Sequence, residues 1–294
     1  MARRWPAWLS ALAAGLILAS PAGAADYTGP LIDAHSHVPN AVAIDVYVEA
    51  MKRHNVSKVV LLGVGGLQKD DATWLAAAAR KYPDRVIAAV PLPDPTSDRA
   101  PQQLEAALIR SRARVIGEVH VRQIGRTLKI DRSPDAPTFL KVLEVAARHT
   151  VPIVIHDELD DGAARRLEEA LRAQPRATVI LAHAGQAAPA RVEGLLARNP
   201  NLLVDLSGMH FQRNPALATE AGPLDPAWKV LIERMPERFL MGIDVWSPRL
   251  FEPVMLDRLM SWTRRVLGQL KPETAARVAA TNAVRIFRIE ETQR

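Results

Sequence analysis

Six side chains able to hold a divalent cation stand at the ends of successive apolar runs: His35 and His37, Glu118, His156, His183 and Asp244. Imidazole nitrogens and carboxylate oxygens are the ligands of hydrolytic metal centres, where a bound ion lowers the pKa of water and makes a nucleophile without a strongly basic side chain. His35 and His37 stand two apart in Ile32-Asp33-Ala34-His35-Ser36-His37-Val38. Side chains alternate along a strand, so this spacing predicts both rings on one face, placed to grip one ion together. An isolated His-X-His pair is also a common accident, and the later residues decide between the two. His156 closes Val151-Pro152-Ile153-Val154-Ile155, His183 closes Val179-Ile180-Leu181-Ala182, and Asp244 closes Phe239-Leu240-Met241-Gly242-Ile243. Burying such groups after an apolar strand is costly unless a partner or a metal compensates, and a shared ion is a common cause for all of them.

The elements that must position these donors alternate along the chain. Strand-like runs occupy 31–38, 57–64, 86–92, 115–121, 152–157, 178–183, 202–207 and 239–244, each rich in Val, Ile or Leu as strands buried on both faces are. Helical patterns lie between them, at 71–82, 102–112, 138–149, 162–173, 188–198 and 227–235, several entered through Pro or Asp. No low-complexity linker interrupts the rhythm, which predicts one domain. Eight consecutive units of this size match a closed (β/α)8 TIM barrel, an α/β fold whose active site lies at the C-terminal ends of the strands. An open doubly wound sheet offers no reason for polar donors to end so many strands.

Composition narrows the function further. The chain has 294 residues, 48% of them apolar and 24% charged, as soluble globular proteins do. Arg3 and Arg4, the apolar run 8–19 and the small residues Ala22, Gly23 and Ala24 read as a secretory signal peptide over 1–25, leaving a domain at 26–294. The apolar stretch is short for a membrane span, so a periplasmic or secreted protein without a stable membrane anchor is expected. Arg3 and Arg4 leave the export route open. No cysteine is present, which excludes disulfides, thiolate metal ligands and cysteine nucleophiles. The formal charge of +6 falls to +4 without residues 1–25, which contain two arginines and no acid. Arg165, Arg166 and Arg172 are interspersed with Glu168 and Glu169, the pattern of a solvated helix face, so no nucleic-acid partner is expected.

The sequence resembles the metal-dependent amidohydrolase superfamily, and within it the amidohydrolase-related (amidohydrolase 2) hydrolases and decarboxylases. The resemblance rests on Asp33-Ala34-His35-Ser36-His37, His156, His183, Asp244, the segment Asn201-Leu202-Leu203-Val204-Asp205-Leu206-Ser207-Gly208, and the terminal Asn282-Ala283-Val284-Arg285-Ile286-Phe287. It spans nearly the whole mature chain. It implies a barrel in which the first-strand pair, the histidines of strands five and six and the aspartate of strand eight surround one or two divalent ions, Zn2+ foremost, with Mn2+, Fe2+ or Co2+ as alternatives. In Val115-Ile116-Gly117-Glu118-Val119-His120, Glu118 stands where some relatives bridge two metals, and the Gly-Glu element is similar to that of TatD-type nucleases. The other reading is that Glu118 pairs with Arg122 and leaves a single metal.

His120 and Arg122 follow Glu118 at period two, so all three are candidates to face the barrel mouth, with the Arg122 fork on a substrate carboxylate or phosphate, or else in a structural role. His210 is a candidate to polarise substrate or an ordinary loop residue, and Trp246 a candidate apolar wall or simple packing. His54 and His149 close helical patterns, where a ring near the carbonyl end is ordinary. Gly63, Gly65 and Gly66 lack the lysine of a phosphate loop and read as a turn. Ser207 lacks the flanks of a nucleophile elbow. The expected reaction is hydrolysis of an amide, lactone or ester of a small molecule, with Asp244 orienting water and taking its proton and Asp244 or His183 returning it. Metal-assisted decarboxylation of an aromatic or unsaturated carboxylate, TatD-like phosphodiester cleavage and an inactive binding protein are the alternatives. Monomer and homo-oligomer both stay open.

Overall fold

The computed structural model describes residues 25–64, 68, 70–125, 129–290. The expected leader therefore lies, save Ala25, outside the described residues. Strands and helices alternate: β1 (Leu31–Ser36), α1 (Ala43–Arg53), β2 (Val56–Leu61), α2 (Asp71–Lys81), β3 (Val86–Ala88), α3 (Ala100–Ser111), β4 (Ile116–Ile124), β5 (Lys129–Asp131) and α4 (Pro137–His149). They continue as β6 (Ile153–Asp157), α5 (Asp161–Ala173), β7 (Val179–Leu181), α6 (Pro189–Arg198), β8 (Leu202–Asp205), α7 (Pro226–Arg234), β9 (Phe239–Leu240), α8 (Pro253–Gly268), α9 (Pro272–Ala276) and α10 (Asn282–Phe287). The helices start where the sequence supplies the chemistry for it. Proline occupies the first turn of α3, α4, α6, α7 and α8, and the Asp160 and Asp225 side chains accept the free N–H groups that open α5 and α7.

The fold is α/β, with the strands in two sheets, β1-β2-β3 and β5-β4-β6-β7-β8-β9. Every pairing is parallel except the β4–β5 hairpin, which extends β4 beyond the strand expected at 115–121. The closed ring of eight strands expected from the sequence is met only in part, because no continuous ladder joins the sheets. Individual backbone hydrogen bonds span the gaps: Gly117 N–H to Val90 O at 3.0 Å on one side, Ala34 N–H to Met241 O at 2.9 Å on the other. Strand residues on one face, such as Ile32, Val60, Val154, Ile180, Leu203 and Leu240, pack with Phe287 and Ile289 in one apolar cluster. Those on the other face, such as Ile153, Val179, Leu202 and Phe239, pack against the helices in a second. Both faces are thus dry, which is why the strands read as unbroken apolar runs.

Two strands carry register shifts that decide which side chains meet. In β1 the pairing with β2 slips between Asp33 and Ser36, and in β4 the pairing with β6 slips between Ile116 and Val119 and again between His120 and Arg122. An extra residue in one strand reverses the facing of the side chains beyond it, so simple alternation fails at these points.

Candidate metal centre

The β1 irregularity separates residues that alternation would place together. Asp33 points toward α1, where Tyr47 donates to its Oδ2 at 2.5 Å, while the backbone N–H groups of His35 and Ile243 donate to its Oδ1 at 3.1 and 2.8 Å. His35 and His37 turn the other way, with their Nε2 atoms 3.2 Å apart. Each ring is oriented through its other nitrogen. His35 Nδ1 donates to Asp205 at the end of β8, and His37 Nδ1 donates to Leu62 O, both at 2.9 Å. The sheet therefore holds two imidazoles with their Nε2 lone pairs facing one point.

Glu118 lies between two groups of donors. Its Oε2 is 3.7 Å from both His35 Nε2 and His37 Nε2. Its Oε1 is 3.0 Å from His156 Nδ1 and 3.3 Å from His183 Nε2. Asp244 Oδ1 closes the first group at 3.6 Å from His37 Nε2. Three sets have donor atoms that all lie within 4.8 Å of one another: His35, His37 and Glu118; Glu118, His156 and His183; and His35, His183 and Asp244. All six side chains are buried, none more than 6% exposed. The donor set fits divalent cations on chemistry alone, since three carboxylate and imidazole sets converge within ligand range in a dry setting.

His183 and Asp244 reach the cluster by a route the apolar runs did not reveal. The strands stop at Leu181 and Leu240, short of the expected ends, and both residues sit beyond them with φ of 54° and 59°. Left-handed backbone at a residue bearing a Cβ costs about 1 kcal/mol or more. The surrounding bonds hold it: Asp244 N–H donates to His35 O at 2.8 Å, and His183 Nδ1 donates to Ser207 O at 2.9 Å.

Charge follows the same geometry. Burial alone would raise the Glu118 pKa, but His156, His35 and His120 reverse this and hold it well below the carboxylate norm. Burial disfavours a proton on His35 and on His156; the carboxylates of Asp205 and Glu118 outweigh it at His35, and Glu118 lifts His156 to about 9. His37, buried beside a protonated His35, falls to about 4. Cationic charge is thus favoured at two places around Glu118, where metal ions would replace protons.

The other expected residues divide. His120 is buried with Nε2 3.1 Å from Glu118 Oε2 and no partner for Nδ1. Arg122 does not join Glu118: the second slip in β4 sets it opposite Asp157, and its guanidinium binds Glu158 O and, at 2.7 Å, Asp160. That is a correction to the placement of Arg122 on the Glu118 face. His210 is buried near the electrostatic reach of Asp244 and is pushed by burial down to about 4. Trp246 is 42% exposed on the loop after Asp244. His54 caps α1 and meets Asp257 at 2.8 Å, and His149 ends α4. The turn reading at Gly63 is anchored by Asp71, which accepts from Val64 N–H at 2.8 Å; Gly65 and Gly66 lie outside the described residues.

Three further residues touch the donors: Asp205, which the sequence marks only as part of the segment 201–208, orients His35; Glu158 lies 3.5 Å from His156 Nε2; and Arg213 Nη2 lies 3.3 Å from Asp244 Oδ2. For Glu158 the signal was present, a carboxylate two residues after a strand-ending histidine. For Arg213 there was none.

A family model described as amidohydrolase matches residues 63–289. No curated protein matches the chain. Among solved structures, an uncharacterised TIM-barrel protein from Bordetella bronchiseptica is 14% identical with TM-score 0.65, over 88% of this chain and 98% of its own. A dihydroxybenzoic acid decarboxylase from a Polaromonas strain, solved with bound manganese and 2-nitroresorcinol, is 15% identical with TM-score 0.59, over 88% and 96%. A probable 2-pyrone-4,6-dicarboxylic acid hydrolase from Acinetobacter baumannii is 15% identical with TM-score 0.59, over 88% and 99%. At these identities the likeness is one of fold.

Proposed function

Because the chain belongs to the amidohydrolase family, whose model covers residues 63–289, we propose that this enzyme is a metal-dependent hydrolase of a small-molecule amide, lactone or ester, built on a (β/α)8 barrel at 26–294. The observation that carries the reading is the division of Glu118, with one oxygen toward His35 and His37 and the other toward His156 and His183. A carboxylate so placed suits a bridge between two divalent ions, with Asp244 completing the first set. Zn2+ heads the list for this nitrogen-rich group, followed by Mn2+, Fe2+ and Co2+. Bound there, the metal supplies Lewis acidity and lowers the pKa of water.

The protein's own residues do the rest. Asp244 orients the attacking water, takes its proton and returns it to the leaving group. Of the two groups expected to return a proton, Asp244 is preferred, because His183 Nδ1 is committed to Ser207 O and its Nε2 faces Glu118. His210, held neutral, donates toward a substrate carbonyl, and Trp246 forms an outer apolar wall. Residues 1–25 direct export to the periplasm or outside the cell and are removed, with no membrane anchor retained. The partner is a small molecule rather than a nucleic acid, and oligomeric state is to be measured on the same purified protein.

A second reading has its own support: structural neighbours of this chain include a manganese-containing dihydroxybenzoic acid decarboxylase, so non-hydrolytic release of CO2 from an aromatic carboxylate is the alternative. The experiment is elemental analysis with a screen of lactones, amides and aromatic carboxylates, tracking both hydrolysis and CO2. Two equivalents of metal in the wild type, falling to one or none in Glu118→Gln, with hydrolysis lost, is the expected result. Metal content unchanged in Glu118→Gln would remove the bridging role, and CO2 as product would move the enzyme to the decarboxylases.

A further inference from the structure

The ring of strands is open between β3 and β4. Val90, just past β3, bridges the two, its N–H donating to Val115 O and its carbonyl accepting from Gly117 N–H, both at 3.0 Å, and among the described residues no ladder continues that bridge. The helices outside leave the gap uncovered. α2 packs on β3 and α3 on α4, and the side chains that α2 and α3 set along the gap are small: Ala72, Ala76 and Ala79 from α2, Ala107 from α3. The result is a cleft of about 970 Å³ in the outer wall, floored by Val86, Ala88 and Val90 and by Ile289 after α10. That is the size of a small-molecule pocket. It lies toward the N-terminal ends of β3 and β4, whereas the metal donors stand at the other ends of the strands.

Charge in this cleft is separated from the apolar surface. Ser111, exposed at the end of α3, is the one uncharged polar residue of its lining. Cations collect at the rim: Lys58, Arg80, Arg110, Arg112 and Arg114, against the carboxylates of Asp84 and Glu290. All four arginines are exposed. Lys58 is held by Asp84 O at 2.8 Å and Arg114 lies 3.5 Å from Glu290, but Arg80, Arg110 and Arg112 have no ion pair or side-chain hydrogen bond among the described residues.

We propose that this cleft is a second ligand site, separate from the metal centre, for a single-chain anionic amphiphile, with its hydrocarbon along the β3 floor and its carboxylate among the rim arginines. A guanidinium fork matches a carboxylate, and at an exposed rim the head group keeps part of its water, so little desolvation opposes the contact. The chain supplies most of the affinity, since each methylene fully removed from water tightens binding about fourfold. A polyanion such as nucleic acid would meet the same cations and leave the floor uncovered, and a flat bilayer surface would not enter a recess between two helices. The inference is independent of the reaction at the metal centre.

The test is calorimetric titration of metal-loaded protein with decanoate, hexanoate and neutral decanol, all below their micellar or solubility limits. Decanoate is expected to bind about 10- to 100-fold more tightly than hexanoate. Ala76→Leu combined with Ala107→Leu fills the cleft from both helices and is expected to weaken decanoate by about 10-fold or more. Arg80→Gln, Arg110→Gln and Arg112→Gln together are expected to weaken decanoate about 10-fold and decanol less than about twofold, with metal content and thermal unfolding as in the wild type. Decanoate held equally by wild type and the filled cleft would overturn the proposal. So would binding that disappears when the metal is stripped, which would put the carboxylate at the donor cluster, and equal losses of decanoate and decanol in the arginine variant, which would remove the anionic class. Sedimentation with phosphatidylglycerol vesicles, in protein that binds no decanoate, would assign the cations to a membrane surface instead.

Discussion

His35 Nδ1 lies 2.9 Å from Asp205 Oδ2, tying β1 to the end of β8 across 170 positions of sequence. The carboxylate holds the ring in the tautomer that presents Nε2 to the cluster, and Asp205 Oδ1 also accepts from the backbone N–H of His183 at 3.2 Å and of Ser207 at 3.0 Å. One buried carboxylate thus orients groups on both sides of the centre. Removing such a partner typically weakens metal binding about 10- to 100-fold. Asp205→Asn is expected to show that loss in a Zn2+ competition titration, with the far-ultraviolet circular dichroism of the wild type. Unchanged affinity would mean that the ring keeps its orientation unaided.

Gly208 is required by its backbone and by its neighbours. Its φ is +64°, and a Cβ there would lie 2.6 Å from Asp244 Oδ2 and 2.9 Å from His183 Nδ1. Gly208→Ala is expected to lower bound metal by half or more, through displacement of both donors, with a stability loss of about 1–3 kcal/mol from strain and crowding. Elemental analysis and urea unfolding of the same sample check the two effects; full metal content would show that the loop relaxes at no cost to the site.

His210 supplies a pH dependence. Burial lowers its value from 6.5 to about 4, a tendency opposed by Asp244 and reinforced by Arg213 and His183. A depressed value in the folded state means that the unfolded chain binds the extra proton first. The stabilisation is complete above about pH 6.5 and is lost as the pH falls through 4. Metal-stripped His210→Gln should therefore lose less stability than wild type between these limits, by at most about 3 kcal/mol. Parallel curves for the two proteins would show that His210 keeps an ordinary value.

Tyr47 and Asp33 form a buried pair behind the site. Tyr47→Phe removes the hydroxyl donor 2.5 Å from Asp33 Oδ2 and leaves a carboxylate that burial already pushes up to about 6. The expected cost is about 1–3 kcal/mol in urea unfolding. Because Asp33 also receives Ile243 N–H, metal affinity should fall with it; a loss of stability alone would confine Asp33 to the fold.

The donors could be seen in the sequence because chemistry and pattern coincide at them. An imidazole or carboxylate closing a run of Val, Ile and Leu is conspicuous, and His35, His37, His156, His183 and Asp244 stand out for that reason. Arg122 shows the limit. Period-two spacing from Glu118 placed it on the same face, but β4 slips against β6 after His120, and one extra residue turns the arginine toward Asp157 and Asp160. Arg213 had no local mark, since it stands on an irregular loop and its partner Asp244 is 31 residues away.

By itself the sequence determined the α/β alternation, the ligand types and most of the strand-end donors, because burial periodicity and side-chain chemistry are local properties of the chain. The tertiary structure alone decided that Glu118 divides its oxygens between two pairs of histidines, that Asp205 sets the tautomer of His35, and that Arg213 rather than Arg122 meets the cluster. Those relationships depend on strand register, on left-handed turns at His183 and Asp244, and on contacts between distant segments, none of which short-range pattern specifies.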